Sequence, residues 1–532
     1  MEQDTSVQLW HVYEITFRSK RYTGEYCGDV EVHADFVGPK GQEHTVDAFC
    51  DGGGIWRLRF CPEEVGEWSY RTHCSDTVDT GLHGRQGRFR CLPYEGSNPL
   101  YRHGRVRLSD NRRHFVHNDG TPFFWLADTT WSSVLQAKLD DWRYFLGRRR
   151  EQGFTTMQSV MTNWRVMPQD AFGEKAYVGD ENIIINPRFF QRIDAKVAAI
   201  NEAGLLAASV MVWAIRGDAN PGYTLPETDV VKLCRYLVAR YGAYHVAWIL
   251  AGDGQYHGEA AERWRHIGRA VFSDQHDQLV TMHPCGMDWV ADEFRNEEWY
   301  DFIGYQSGHD SNEETLRWLV QGPPAQEWRK SPPRPIINLE PNYEHHIPYH
   351  RKERFTGYDV RRALYWSLMV TPTAGVTYGH HGIWPWLEQA ALPPDHPYTG
   401  VAPAWRDSID AEGALSLRPL RAFFDSLPWW RLRPAQELLV VQPGDQDAEA
   451  FITVATTEER DTVVAYLPKG GEVHLSHQVN IAEAQWFDPR TGERHPAGVV
   501  PKSTLPLDTP GEMWQFQAPD NRDWLLRIRS VD

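Results

Sequence analysis

The chain has 532 residues and a formal net charge of −17, from 55 lysines and arginines against 72 aspartates and glutamates. That balance excludes a nucleic-acid partner, which needs a basic footprint, and adsorption to an anionic membrane surface. No stretch of about 18 apolar residues is present to span a bilayer, and at ~100–200 residues per domain the length calls for about three domains.

The N-terminus, "MEQDTSVQLW", has neither a charged n-region nor an apolar h-region. It does not read as a signal peptide, and a cytoplasmic location is expected. Residues 8 to 92 read as short strands. "DVEVHADFVG" places Val30, Val32, Ala34 and Phe36 on one face, and "IWRLRFCP" and "EWSYRTHC" repeat the period of two on either side of "EEVG". Such alternation with frequent Gly/Pro punctuation predicts an antiparallel sandwich over 1–94, with "PYEGSNP" as its linker. Five of the seven cysteines (27, 50, 61, 74, 91, 234 and 285) fall in this part. Their number is odd and no CxxC occurs, so neither a zinc site nor a disulfide framework is signalled. One bridge is left open, and free, mostly buried thiols are the preferred reading.

From about residue 120 apolar runs alternate with helical stretches. The runs are "FFWLAD", "FTTMQSVMTNW", "LLAASVMVW", "VAWILAGD", "LVTMHPCG", "DFIGYQSGH", "PIINLE" and "GVTYGHHGIW". Between the second and third, Phe190, Ile193, Val197 and Ile200 recur at helical spacing, with Gly204 at the C-terminal stop. Between the third and fourth, Val230, Cys234, Leu237, Val238 and Tyr241 do the same. The fifth crossover is only weakly helical. Eight buried strands alternating with helices predict a (β/α)8 barrel over 95–430. After "FFDSLPWWRLRP" the pattern returns to short strands, "ELLVVQP", "AFITVAT", "TVVAYLP", "MWQFQAP" and "DWLLRIRS", a second sandwich over 431–532. The fold class is therefore an α/β barrel flanked by two β-sandwiches.

In such a barrel the site lies at the C-terminal ends of the strands. Those ends carry Asp128 and Trp131, Asn163 and Trp164, Trp213, Asp253, His283, Gln306 and His309, then Glu340, Tyr343 and Glu344, and last Tyr378, His380 and Trp384. Two carboxylates across a cleft are what glycoside hydrolysis needs: one protonates the departing oxygen, the other attacks the anomeric carbon or activates water. Asp253 and Glu340 each end an apolar strand and form the best pair. The remaining rim residues are expected to bind substrate, and the 23 tryptophans suit the C–H faces of sugars, although most tryptophans fill cores. Plainer readings exist for each residue alone. Asp253 would start the helix after "GQYHGE", Glu340 would pair with Arg361 or Arg362, Asp128 would cap a loop, and the histidines would be structural. Adjacent pairs such as His345-His346 and His380-His381 rarely face one point, so no metal site is expected, and no cofactor is implied. The expected partner is a carbohydrate; self-association is left open. A non-catalytic carbohydrate-binding module is the main rival, disfavoured because binding has no need of the carboxylate pair. An esterase is disfavoured by the absence of a GxSxG elbow.

Longer motifs add a resemblance. "LVTMHPCGMDW", "DFIGYQSGH", "IINLEPNYE" and "VRRALYWSLMVTPTAGVTYGHHGIWPW" resemble the apiosidase-like glycoside hydrolases, (β/α)8 enzymes related to the large clan of retaining glycosidases. "GDVEVHADFVGPKGQEHTVDAFCDGGGIWRLRFCPEEVGEW" resembles the sandwich often found ahead of that barrel. "VAYLPKGGEVHL" and "AQWFDPRTGE" resemble the collagen-binding-like sandwich often found behind it. The resemblance implies an acid/base aspartate at Asp253 in "WILAGD", a nucleophile at Glu340 in "NLEPNYE" and a retaining mechanism. It leaves the sugar open, with apiosyl or other pentosyl units among the candidates. Many clan members carry Asn-Glu where this chain has Gly252-Asp253, so its acid is one methylene shorter.

Overall fold

The protein, seen as a computed structural model, is described over residues 6–24, 30–272, 277–476, 478–479, 481–498, 500–501 and 513–530. Eight parallel strands, one in each apolar run, organise its centre: β1 (Trp125–Thr129), β2 (Thr156–Val160), β3 (Leu206–Val212), β4 (Val246–Ala251), β5 (Val280–Thr281), β6 (Ile303–Gln306), β7 (Ile336–Glu340) and β8 (Gly375–Tyr378). Nearly every residue in them is buried, as expected of parallel strands covered on both faces. Helices follow each strand in turn: Leu139–Glu151, Pro187–Glu202, Glu227–Tyr241, Glu259–Val271, Ala291–Phe294, Glu313–Gln321, Gly357–Met369 and Leu417–Asp425. The fifth is a single turn, where the sequence is only weakly helical.

Local chemistry sets the helix ends. Asn186 accepts from the Arg188 N–H ahead of Pro187, and Phe190, Ile193, Val197 and Ile200 form the buried stripe. Gly204, at φ +78°, turns the chain out of this helix, a conformation glycine adopts without steric cost. Thr356 and Asp359 cap Gly357–Met369 reciprocally.

The strands fall into a six-stranded sheet in the order β5-β4-β3-β2-β1-β8 and a two-stranded pair, β6-β7. No continuous ladder closes these into the expected ring. At the first junction the Asp301 N–H donates to the Val280 carbonyl. There the Thr281 hydroxyl stands in for ladder bonds, donating to the Phe302 carbonyl at 2.6 Å and accepting from the Gly304 N–H at 3.0 Å. At the second junction the Glu344 N–H donates to the Gly379 carbonyl. A hairpin-like sheet of Val106–Leu108, Phe115–His117 and Pro122–Phe123, not foreseen in the sequence, plugs the N-terminal ends of the strands. Its Phe115 ring lies 5.8 Å from Trp125 and 5.2 Å from Phe302.

The N-terminal part forms a five-stranded and a three-stranded sheet around Phe36, Leu58, Phe60, Trp68 and Phe89. Buried ion pairs dock it onto the barrel helices: Arg59 to Asp194 at 2.7 Å and Arg240 to Asp51 at 2.8 Å. The preference for free thiols needs one correction. Cys50 is disulfide-bonded, whereas Cys61, Cys74, Cys91, Cys234 and Cys285 are free. The C-terminal part forms a six-stranded and a three-stranded sheet, and its Phe451, Val464, Tyr466, Phe487 and Leu525 join the barrel's own core. The buried Arg361 guanidinium holds Asp523 at 2.7 and 3.0 Å, so it is not the partner of Glu340. Among the described residues no helix is long and apolar enough to cross a membrane.

Candidate active site

The ends of β4 to β7 converge on a cavity of about 470 Å³ that Asp253, Gln306, His309, Glu340 and Tyr343 line from below and Trp131, Trp164, Trp213 and Trp384 wall. No described residue of either flanking domain lines it.

Glu340 is the last residue of β7. Its backbone N–H donates to the Asn338 side chain, whose amide is itself held by the Ser307 and Ser367 hydroxyls. The carboxylate faces two histidines. His309 Nε2 lies 2.8 Å from Oε1, and His283 Nε2 lies 3.2 Å from Oε2. Burial by itself would raise the Glu340 pKa. The hydrogen bonds from His283 and His309 outweigh it and hold the carboxyl well below its ordinary value. The Tyr343 hydroxyl accepts from Trp131 Nε1 at 3.0 Å. Burial, and after it the charge of Glu340, raises the Tyr343 pKa far above its ordinary value, so the phenol stays protonated beside Glu340.

Asp253 stands two residues beyond β4. Its Oδ1 accepts from the Gln306 side-chain amide at 2.7 Å and lies 3.4 Å from His283 Nδ1. His283 is fully buried and sits between the two acids. Burial lowers its pKa, but contacts with Asp253 and Glu340 overcome this and push it up to about 9. Asp253, His283 and Glu340 each offer an atom within 4.8 Å of the others, a spacing that would also suit a metal ion. Nδ1 lies nearest Asp253 and Nε2 nearest Glu340; a metal ion would take only one of these nitrogens, with one oxygen from each acid.

Trp213 packs at 5.4 Å from Trp131 and 4.9 Å from Trp164. Its ring fills the space where a side chain at position 252 would project. A Cβ on Gly252 would come within 2.1 Å of it. The indole nitrogens of Trp164 and Trp213 are buried without a hydrogen-bond acceptor among the described residues.

Five residues expected to bind substrate are spent elsewhere. Asp128 is fully buried and takes Arg149 Nε at 2.6 Å. Asn163 bridges loops, donating to the Ala219 carbonyl and accepting from the Ala176 N–H. Glu344 accepts from the Tyr378 hydroxyl at 2.6 Å and from the Gly413 N–H at 3.0 and 3.1 Å. That occupies Tyr378 as well and anchors the segment after β8. His380 accepts from the Gly382 N–H and packs on His345, 5.0 Å away. None of the five lines the cavity. Trp131, Trp213, Gln306, His309, Tyr343 and Trp384 do, and His283 does not line it but lies against Asp253 and Glu340, which do. Arg165, Cys285, His346, Tyr349 and His396 also line it but were not picked out. Cys285 and Arg165 follow close behind strand-end residues that were, which is the signal that could have found them.

An acidic, tryptophan-walled cavity at the strand ends of an α/β barrel is the architecture of a glycosidase. The chain belongs to the apiosidase-like family of such enzymes: the family described as "Apiosidase-like, catalytic domain" matches residues 109–431. A domain of unknown function matches residues 6–75, and the "Putative collagen-binding domain of a collagenase" matches residues 434–528. No curated protein matches the chain significantly. Among solved structures, a Bacteroides vulgatus protein provisionally described as a glycoside hydrolase superposes with a TM-score of 0.71 at 18% identity, covering 99% of this chain and 100% of its own. A glycoside hydrolase family 5 protein from the same organism gives 0.69 at 21% identity, over 82% of this chain and 95% of its own. At such identities the likeness speaks for the fold.

Proposed function

We propose that this glycosidase works with retention of configuration, Glu340 attacking the anomeric carbon and Asp253 acting first as general acid and then as general base. The observation that carries this reading is the approach of the two carboxylates, an oxygen of each within 4.8 Å of the other. Retaining enzymes hold their carboxyl groups at about 5–5.5 Å for direct attack, whereas inverting ones leave roughly 6.5–9.5 Å for a water. A nucleophile must be ionised, and the two histidines on Glu340 favour that form despite burial. The acid must bring a proton, and Asp253 sits on the opposite side of His283 at the cavity floor.

A volume of about 470 Å³ falls in the range of small-ligand sites, ~300–1,000 Å³. It suits the end of a short glycan or a glycan side chain, with indole rings against the sugar ring. Furanosyl units, apiosyl and other pentosyl ones among them, are the first substrate class to test. The experiment is a screen of aryl furanosides, aryl pyranosides and oligosaccharides with Glu340→Ala as control, followed by proton NMR of the first-formed product. Retained anomer is the expected result. An inverted anomer would mean that Glu340 activates water instead, and no activity across the set would overturn the substrate reading.

A further inference from the structure

His283 has no surface exposure, and each of its ring nitrogens faces one of the two acids. At these distances neither nitrogen makes a well-aligned hydrogen bond, to the acids or to any other described residue. A neutral imidazole carries one N–H and so serves one acid only; an imidazolium carries two and serves both. We infer that His283 is a positioning residue that stores the catalytic proton, delivering it to Asp253 as Glu340 is consumed and taking it back as Glu340 is released. This rests on the roles proposed above for Asp253 and Glu340.

The surroundings favour a single proton in this group. Asp253 faces the ring from β4 and Glu340 from β7. From β6 comes the uncharged Gln306, which holds Asp253, and from the ends of β1 and β3 come the rings of Trp131 and Trp213, at 5.2 and 6.0 Å. Cys285, two residues on, has its thiol pushed up to about 12 by burial and then by Asp253, so it stays protonated and uncharged. His309 and Tyr343 lie against Glu340. At rest the group holds one imidazolium and two carboxylates.

In the first half-reaction the His283 Nδ1–H bond breaks and an O–H bond forms on the Asp253 carboxyl. That O–H bond breaks in turn as the departing oxygen takes the proton. The glycosidic C–O bond cleaves with its electron pair on that oxygen, and Glu340 forms the ester to the anomeric carbon. Glu340 thereby loses the charge that stabilised the imidazolium, which favours proton release at the moment it is needed. In the second half water attacks the anomeric carbon. Its proton passes to Asp253 and on to His283 Nδ1, and the ester C–O pair returns to Glu340. The charge of the three residues is −1 before and after each step.

Two measurements test this. The first needs no substrate: ¹⁵N-histidine NMR of the whole protein, with the His283 signals assigned by their loss in H283N. Both ring N–H signals should persist at neutral pH and titrate near pH 9. A neutral ring at pH 7 overturns the inference, whatever becomes of the glycosidase reading. The second is the pH profile of kcat/KM on an active glycoside with a poor leaving group, beside an activated aryl glycoside. In the wild type the alkaline limb for the poor leaving group should follow His283. In H283N that limb should move down by two or more pH units, with a loss of at least 100-fold at pH 8. The activated substrate should lose less than tenfold, with KM little changed. A limb still near pH 9 in folded H283N, or equal losses on both substrates, would make His283 merely structural. Silence on every glycoside would count against the Asp253–Glu340 assignment, and with it against this role.

Discussion

The two sides of the barrel rim carry the same kinds of side chain and use them oppositely. At the ends of β4 to β7, acids, histidines and an amide converge on one cavity. At the ends of β1, β2 and β8, Asp128, Asn163, Tyr378 and His380 close on partners inside the protein, as does Glu344 four residues beyond β7. A strand-end position is therefore not enough to make an acid available for chemistry. It must also reach the cavity rather than be committed to an arginine or to hydroxyl and backbone N–H donors of the scaffold.

The sharpest way to break this contrast is Glu340→Ala. Turnover should fall by roughly four orders of magnitude or more, about 5.5 kcal/mol of transition-state stabilisation, in a protein whose circular dichroism is unchanged. Near-normal steady-state rates would show that the cavity side is not the working side. Asp253→Ala comes next. Substrates with poor leaving groups should lose ~10²–10⁴-fold and activated aryl glycosides far less, as rates across a leaving-group series would show.

On the committed side the effect should move from rate to stability. Asp128→Ala strands a buried guanidinium, which typically costs ~3–5 kcal/mol. Urea unfolding should register that loss, while kcat of the folded fraction stays within about twofold; a large kcat defect would place Asp128 in the reaction. A pH series sharpens the same point. The His283 pKa rises on folding from its ordinary 6.5 to about 9. Its contribution is fully present below about pH 6.5 and is lost as pH climbs through 9, about 3 kcal/mol over that span. Denaturation midpoints at pH 6 and pH 9.5 should differ more for the wild type than for H283N. The smallest effect is expected at the cavity wall. Trp384→Ala should raise KM about tenfold, some 1.4 kcal/mol of binding, without unfolding the chain. An unchanged KM would remove that indole from the sugar's surroundings.

Much of this was readable beforehand because burial leaves a local mark. Each of the eight strands lies within an apolar run, and "WILAGD" and "IINLE" announced acids at the ends of buried segments. What the sequence hid was partnership. Asp128 meets Arg149 from the far end of the following helix, and Glu344 meets a backbone N–H 69 residues away; no periodicity records such meetings. The loop residues Tyr349 and His396 of the cavity were equally silent, since loops have no repeating face. The sharing of a core between barrel and C-terminal sheets was hidden as well. Two runs of alternating apolar residues look alike whether each packs on itself or on its neighbour.

The contact between Gly252 and the Trp213 ring has an evolutionary consequence. Positions 213 and 252 form one inherited character rather than two. A lineage carrying a larger residue at 252 cannot arise from this one by changing that position alone, because the indole already holds the volume the new side chain would need. The tryptophan has to go first, and with it one wall of the pocket. The order of substitutions is fixed by space before selection acts on activity, so this version of the site and one with a side chain at 252 are separated by an intermediate that has neither.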